Sequence, residues 1–167
     1  VSLTLRRARP ADVRGIDALV QPLAQEQILL GKELVAYYEA IQEFLVAEDE
    51  GGTILGCGAL HVLWEDLGEV RTLAVHPDQR GTGLGHRLLE ALLDHARGLG
   101  LSRVFCLTFE VSFFTRHGFS VMAEEPLDPE VYMELLRSRD EGVAEFLDLA
   151  RVKPNTLGNT RMIRLLD

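Results

Sequence analysis

VHPDQRGTGLGHRLLEALL, Val75 to Leu93, places Gly81, Gly83 and Gly85 within five residues and then runs into leucines at helical spacing. Glycine weakens a helix, so its use at every second position where a helix starts implies that the backbone there approaches something closely. Two common phosphate motifs do not fit. A Walker loop needs Gly, four residues, then Gly-Lys-Ser/Thr, and no such run exists. A G-x-G-x-x-G fingerprint fails from Gly81, where the sixth position is His86, and from Gly83, where it is Leu88. What remains is Arg80-Gly81-Thr82-Gly83-Leu84-Gly85, an R-x-x-G-x-G run opening a helix after a strand. Such a run is an anion cradle. The first-turn N–H groups and the helix dipole favour negative charge, the glycines let a pyrophosphate lie against the backbone, and Arg80 adds a cation.

Outward from this stretch the chain alternates strand and helix patterns. Leu84, Leu88, Leu92, Ala96 and Leu99 make one apolar stripe, with Arg87, Glu90, Asp94 and Arg97 opposite. Upstream, residues 2–8 read as a strand and 10–23 as a helix started by Pro10 and Asp12. Residues 31–42 read as a second helix with Leu34, Tyr37, Tyr38 and Ile41 on one side. Residues 43–64 read as a strand hairpin around Gly51-Gly52, followed by strand 69–75. Downstream, 102–108 reads as a strand and 111–119 as a short helix closed at Gly118. Residues 126–150 read as helix in at least two pieces, broken near Gly142, and 159–166 as a final strand. The order predicts one mixed α/β domain over residues 1–167, with a central, mostly antiparallel sheet flanked by helices.

Composition narrows the function. The 167 residues are 47% hydrophobic, enough for one domain with a core. Asp plus Glu number 26 against 17 Lys plus Arg, a formal charge of −9, which argues against nucleic acid and anionic membrane as partners. Apolar runs are too short for a membrane span, and the first thirteen residues lack a secretory signal pattern, so a cytoplasmic protein is expected. Cys57 and Cys106 lie in apolar strands and are expected to be buried free thiols. No Cys/His cluster has zinc spacing, and no metal is expected.

TLAVHPDQRGTGLGHRLL (72–89) resembles the coenzyme A motif of the GNAT superfamily of N-acetyltransferases, and FFTRHGF (113–119) resembles its second signature. Within that superfamily, residues 56–75, 103–119 and 148–162 resemble the short stand-alone class of N-acetylglutamate synthases. The resemblance implies acetyl-CoA as co-substrate, bound by Arg80, Gly81, Thr82, Gly83, Leu84 and Gly85. It places the pantetheine arm on backbone groups of Leu73 and Val75, with an N–H near Leu73 or Ala74 polarising the acetyl carbonyl. It further implies L-glutamate as acceptor, a place in arginine biosynthesis and, from the family alone, a homodimer.

Glu69 opens strand 69–75, at a position where the family carries a glutamate. An amino acid arrives as ammonium and must lose a proton before attack, so Glu69 is the candidate base; a solvated strand-end acid is the plainer reading. Arg71 shares its face and suits a substrate carboxylate, or an ion pair with Glu69 or Glu110. Lys32, Lys153, Asn159 and Thr160 are the further acceptor candidates, and each could equally be a polar side chain that only meets water. His61 reads as structural. One position departs from the family: a tyrosine often stands four residues before the Gly of HGF, and here it is Phe114. Phe114 becomes a wall of the coenzyme A side, and water, Thr108 or another group must protonate the leaving thiolate. Two rivals stay open. One is acetylation of another amine, such as glutamine, a polyamine or an antibiotic. The other is an acetyl-CoA sensor without turnover.

Overall fold

In the computed structural model the leucines after Gly83 form a helix, with Leu84, Leu88, Leu92 and Ala96 buried along one side as their spacing requires. The structure describes residues 2–26, 33–123, 127–147 and 159–167. In chain order these form β1 (Thr4–Arg7), α1 (Val13–Gln25), α2 (Leu34–Ala40), β2 (Phe44–Glu48), β3 (Ile54–Trp64), β4 (Leu67–Val75) and α3 (Leu84–Gly98). There follow β5 (Arg103–Thr108), α4 (Val111–Arg116), β6 (Ser120–Val121), α5 (Pro129–Leu135), α6 (Glu141–Phe146) and β7 (Thr160–Leu165). The strands form one seven-stranded sheet in the order β1-β2-β3-β4-β5-β7-β6. The pairs β1–β2, β2–β3, β5–β7 and β6–β7 are antiparallel. The expected mixed α/β class, with a mostly antiparallel sheet flanked by helices, is the one observed. The chain gathers into two compact units, one from Val1–His61 and Val70–Leu99, the other from Val62–Glu69 and Gly100–Asp167.

In the first unit, Val13, Ile16 and Val20 of α1 and Tyr37 of α2 pack with Phe44, Cys57 and Ala74 of the strands. A second cluster sets Leu84 and Leu88 of α3 beside Ala47, Leu73 and Val75. The helix can lie this close because β3 has no side chain at two points. A Cβ on Gly56 would stand 2.8 Å from Leu88 Cδ1, and one on Gly58 2.8 Å from Leu92 Cδ1. Two apolar positions depart from expectation. Leu99 is 50% exposed, because it caps the helix after Gly98 and has left the stripe. Tyr38 is 42% exposed, while its neighbour Tyr37 is fully buried.

Arg6 ties the start of this unit together. Its Nη1 donates to Asp12 Oδ2 at 2.8 Å and its Nε to Glu48 Oε1 at 2.9 Å. Asp12 also accepts the Arg9 N–H at 2.7 Å. Hydrogen bonds from Arg6 hold both carboxyls below their usual pKa range. A depressed carboxyl pKa gives stability that is complete above its unfolded value, near 4, and is lost as pH falls through the folded value. The thermal midpoint should therefore drop as pH is lowered from 6 to 3. Asp12→Asn should flatten part of that drop and cost about 1–3 kcal/mol at pH 7. Melting curves of the two proteins against pH check this.

In the second unit, β5 and β7 pair from Arg103↔Leu165 to Thr108↔Thr160. Phe105 packs edge-on against Phe146 of α6 with centroids 5.5 Å apart, in a cluster with Leu63, Leu67, Leu135 and Ile163. Helix α4 ends as its sequence signals. Gly118 has φ +83°, Phe119 N–H reaches Phe114 O at 3.1 Å, and Gly118 N–H reaches Thr115 O at 3.1 Å, closing a Schellman turn. The break in the helical stretch after Pro129 is not at Gly142, which lies inside α6. It falls at residues 136–140, where Asp140 caps α6 by accepting the Val143 N–H at 3.1 Å.

Candidate functional site

The first unit carries the glycine run. After β4 a short 3-10 turn, Pro77–Gln79, leads to Arg80. Gly81 and Gly83 have φ +77° and +85°, a region that costs a side chain its Cβ–carbonyl clearance. Gly83 is the N-cap of α3, and no side chain caps that helix end. The helical ladder opens with Arg87 N–H donating to Gly83 O at 3.0 Å, and the N–H groups of a helix's first turn have no acceptor within the helix. A Cβ on Gly81 or Gly83 would meet nothing within 4 Å. The space beside both residues is open rather than filled by the protein, which is what an anion laid against the backbone needs. Arg80 is exposed at the mouth of the run. Thr82 is exposed and bonds back to its own loop: its Oγ1 donates to Gln79 O at 2.6 Å and its N–H to the same oxygen at 3.3 Å. Thr82 therefore shapes the loop. The residues present fit the pyrophosphate of a nucleotide cofactor at Gly81, Gly83, Leu84 and Gly85, with Arg80 as the cation.

Immediately upstream, Leu73 and Val75 turn toward α3 and Ala74 toward α1. Thr72 has φ +53°, the one positive value outside glycine among the described residues. No sequence pattern announced that kink, since threonine is an ordinary strand residue. Arg71 is half-buried on β4. His61 is seated by Glu43, whose Oε2 lies 2.7 Å from His61 Nδ1, in keeping with a structural histidine.

The second unit carries the proton-transfer candidates. Three polar or charged residues are buried among the described residues: Asp12, Glu69 and Thr108. Asp12 belongs to the Arg6 cluster, and the other two lie in this unit. Glu69 is 4% exposed, so it is not the solvated strand-end acid that its position allowed. A buried carboxylate is costly, which marks Glu69 as a group with a purpose. Cys106 is buried, and its thiol pKa is pushed up first by burial and then by the charge of Glu69. Thr108 Oγ1 accepts the Glu110 N–H at 2.7 Å. Phe114 is buried and edge-on to Phe113 and Phe119, with centroids 5.2 and 5.1 Å away. It is a wall with no hydroxyl. Asn159 and Thr160 are half-buried at the start of β7. Lys32 and Lys153 lie outside the described residues. Both cysteines are free and buried, as expected.

Known proteins resemble this chain in sequence and fold. The Acetyltransferase (GNAT) family matches residues 19–119. An amino-acid acetyltransferase of Mycobacterium tuberculosis is 57% identical over 164 residues, 97% of this chain and 94% of the relative. An amino-acid acetyltransferase of Neisseria meningitidis is 37% identical over 81% of this chain, which spans 31% of that longer protein. Among solved structures, Rv2747 from Mycobacterium tuberculosis in complex with CoA and NLQ has a TM-score of 0.90 at 56% identity, covering 98% of this chain and 99% of its own. N-acetylglutamate synthase from Neisseria gonorrhoeae, complexed with coenzyme A and N-acetyl-glutamate, has a TM-score of 0.79 at 28% identity. That match covers 100% of this chain and 36% of the other. With its glycine cradle, its sheet and these relatives, the chain belongs to the Acetyltransferase (GNAT) family, alongside members named amino-acid acetyltransferases.

Proposed function

We propose that this protein transfers the acetyl group of acetyl-CoA to the α-amine of L-glutamate, as an N-acetylglutamate synthase at the first step of arginine biosynthesis. The observation that carries the reading is the open glycine cradle of Arg80–Gly85 at the uncapped start of α3. The complex of the Neisseria gonorrhoeae enzyme with N-acetyl-glutamate supports the choice of acceptor. The reading places the protein in the cytoplasm as a homodimer.

In this mechanism Arg80 and the backbone of Gly81, Gly83, Leu84 and Gly85 hold the pyrophosphate, and main-chain groups of Leu73 and Val75 hold the pantetheine arm. Glu69 takes the ammonium proton, so that the amine lone pair can form the new C–N bond as the C–S bond breaks. A main-chain N–H at Leu73 or Ala74 stabilises the oxyanion. Phe114 cannot return a proton to sulfur. Thr108, whose oxygen is fixed by the Glu110 N–H, can donate a hydrogen bond to the departing thiolate, which leaves as the anion and takes its proton from water. Arg71 grips the α-carboxylate, and Lys32, Lys153, Asn159 and Thr160 serve the rest of the acceptor.

An acceptor panel with acetyl-CoA, read as thiol release, tests this. Glutamate should outpace lysine and spermidine. Arg71→Ala should raise the glutamate KM by about 10–100-fold, as for a lost charge-assisted contact, with little change in the acetyl-CoA KM. Faster turnover of spermidine would reject the substrate class. Faster turnover of glutamine would keep the α-carboxylate grip and drop the side-chain carboxylate from the acceptor. No release with any amine would leave a sensor.

A further inference from the structure

A threonine at φ +53° in the middle of a strand is an unfavourable conformation, because its branched Cβ crowds the backbone. It persists only where neighbours hold it. Cys57 is such a neighbour. It is fully buried on β3, and its Sγ lies 3.4 Å from Thr72 O, within reach of an S–H···O=C bond. Cys57 is backed by the Tyr37 cluster, so the thiol has little room to move away. Gly58, next along β3, keeps the opposite side clear: a Cβ there would come within 3.1 Å of Leu73 Cδ1.

The peptide geometry does the rest. The described residues have no cis peptide, and in a trans unit the C=O and the following N–H point in opposite directions. Drawing Thr72 O toward Cys57 therefore turns Leu73 N–H away from it. Leu73 is also one of the two residues at which acetyl transfer calls for a main-chain donor.

We infer that Cys57 is a positioning residue for acyl transfer: its hydrogen bond to the Thr72 carbonyl fixes the 72–73 peptide and so aims Leu73 N–H at the acetyl oxygen. The inference rests on the acetyl-transfer reading above. It does not require the thiol to react.

The test compares the wild type with Cys57→Ala and Cys57→Ser. In Cys57→Ala, kcat should fall about 10–100-fold, the scale for misaiming one donor at the reacting centre, while KM for the acceptor and Kd for acetyl-CoA stay within about threefold. Cys57→Ser keeps a donor and should restore most of kcat. The carbonyl ¹³C resonance of carbonyl-labelled acetyl-CoA bound without acceptor should move downfield in the wild type and in Cys57→Ser, and less in Cys57→Ala. A part that was merely structural would shift the melting point and Kd without separating kcat from them. If Cys57→Ala fails to fold, Cys57→Val fills the space without a donor and takes its place. A folded donor-less variant with wild-type kcat and wild-type carbonyl shift overturns the inference. A wild type that binds acetyl-CoA but releases no thiol with any amino acid overturns the acetyl-transfer reading instead.

Discussion

Replacing Glu69 by glutamine should lower kcat by about 10²–10⁴-fold, the usual worth of a positioned base. Glutamine keeps the shape and size of the side chain, so the fold of the second unit should persist. What disappears is the ability to accept a proton from the ammonium. The loss should therefore shrink as pH rises toward the pKa of the free amine, where more acceptor arrives deprotonated. Burial strengthens the expectation. Glu69 is 4% exposed, so bulk buffer cannot readily substitute for it. Phe114→Tyr should change kcat little, because a thiol with a pKa near 8.5 leaves largely without help. A pH–rate profile of the wild type and both variants decides the matter. Wild-type rates for Glu69→Gln at neutral pH would remove Glu69 from the mechanism, and the base would have to be sought at His61, Glu110 or water.

Gly83→Val should abolish measurable acetyl-CoA binding while the protein still folds. Two effects act together. Valine at φ +85° is strained by about 1–3 kcal/mol. Its branched side chain would also occupy the open space beside the backbone that the pyrophosphate is expected to fill. Folding survives because, apart from the adjoining backbone and chain neighbours, no described atom lies within 4 Å of the new Cβ to be displaced. Arg80→Ala should weaken binding by about 1–3 kcal/mol, the loss of one charge-assisted contact, or roughly 5–150-fold. Calorimetric titration reads both. Unchanged affinity in a folded Gly83→Val protein would mean that the cradle holds something other than this ligand.

The parts of the fold legible in the sequence are those in which one local rule acts alone. The α3 stripe follows from 3.6-residue periodicity, and the α4 stop at Gly118 from the left-handed turn that glycine permits. The N-terminal start of α3 was legible because its glycines have no stabilising use inside the protein. Where two rules competed, the reading slipped. Gly142 looked like a helix break, but Asp140 caps the helix two residues earlier and glycine is tolerated in its first turn. Tyr38 fell on the expected apolar side of α2, yet Tyr37 alone enters the core. The two-residue strand β6 is too short for any period to appear. The Thr72 kink was invisible for a different reason: it is imposed by the neighbouring strand and leaves no mark on the residue type.

The order of the strands also bears on how this protein stays dispersed. An unpaired strand edge is a template for a neighbour's backbone, and long apolar edges invite fibres. Here the terminal strands are poor templates. β1 is four residues long and ends in Arg6 and Arg7, and β6 has only two residues. An incoming chain would have to crowd two arginines at one border and would gain almost no ladder at the other. Among the described strands, edge-to-edge pairing at β1 and β6 is therefore disfavoured.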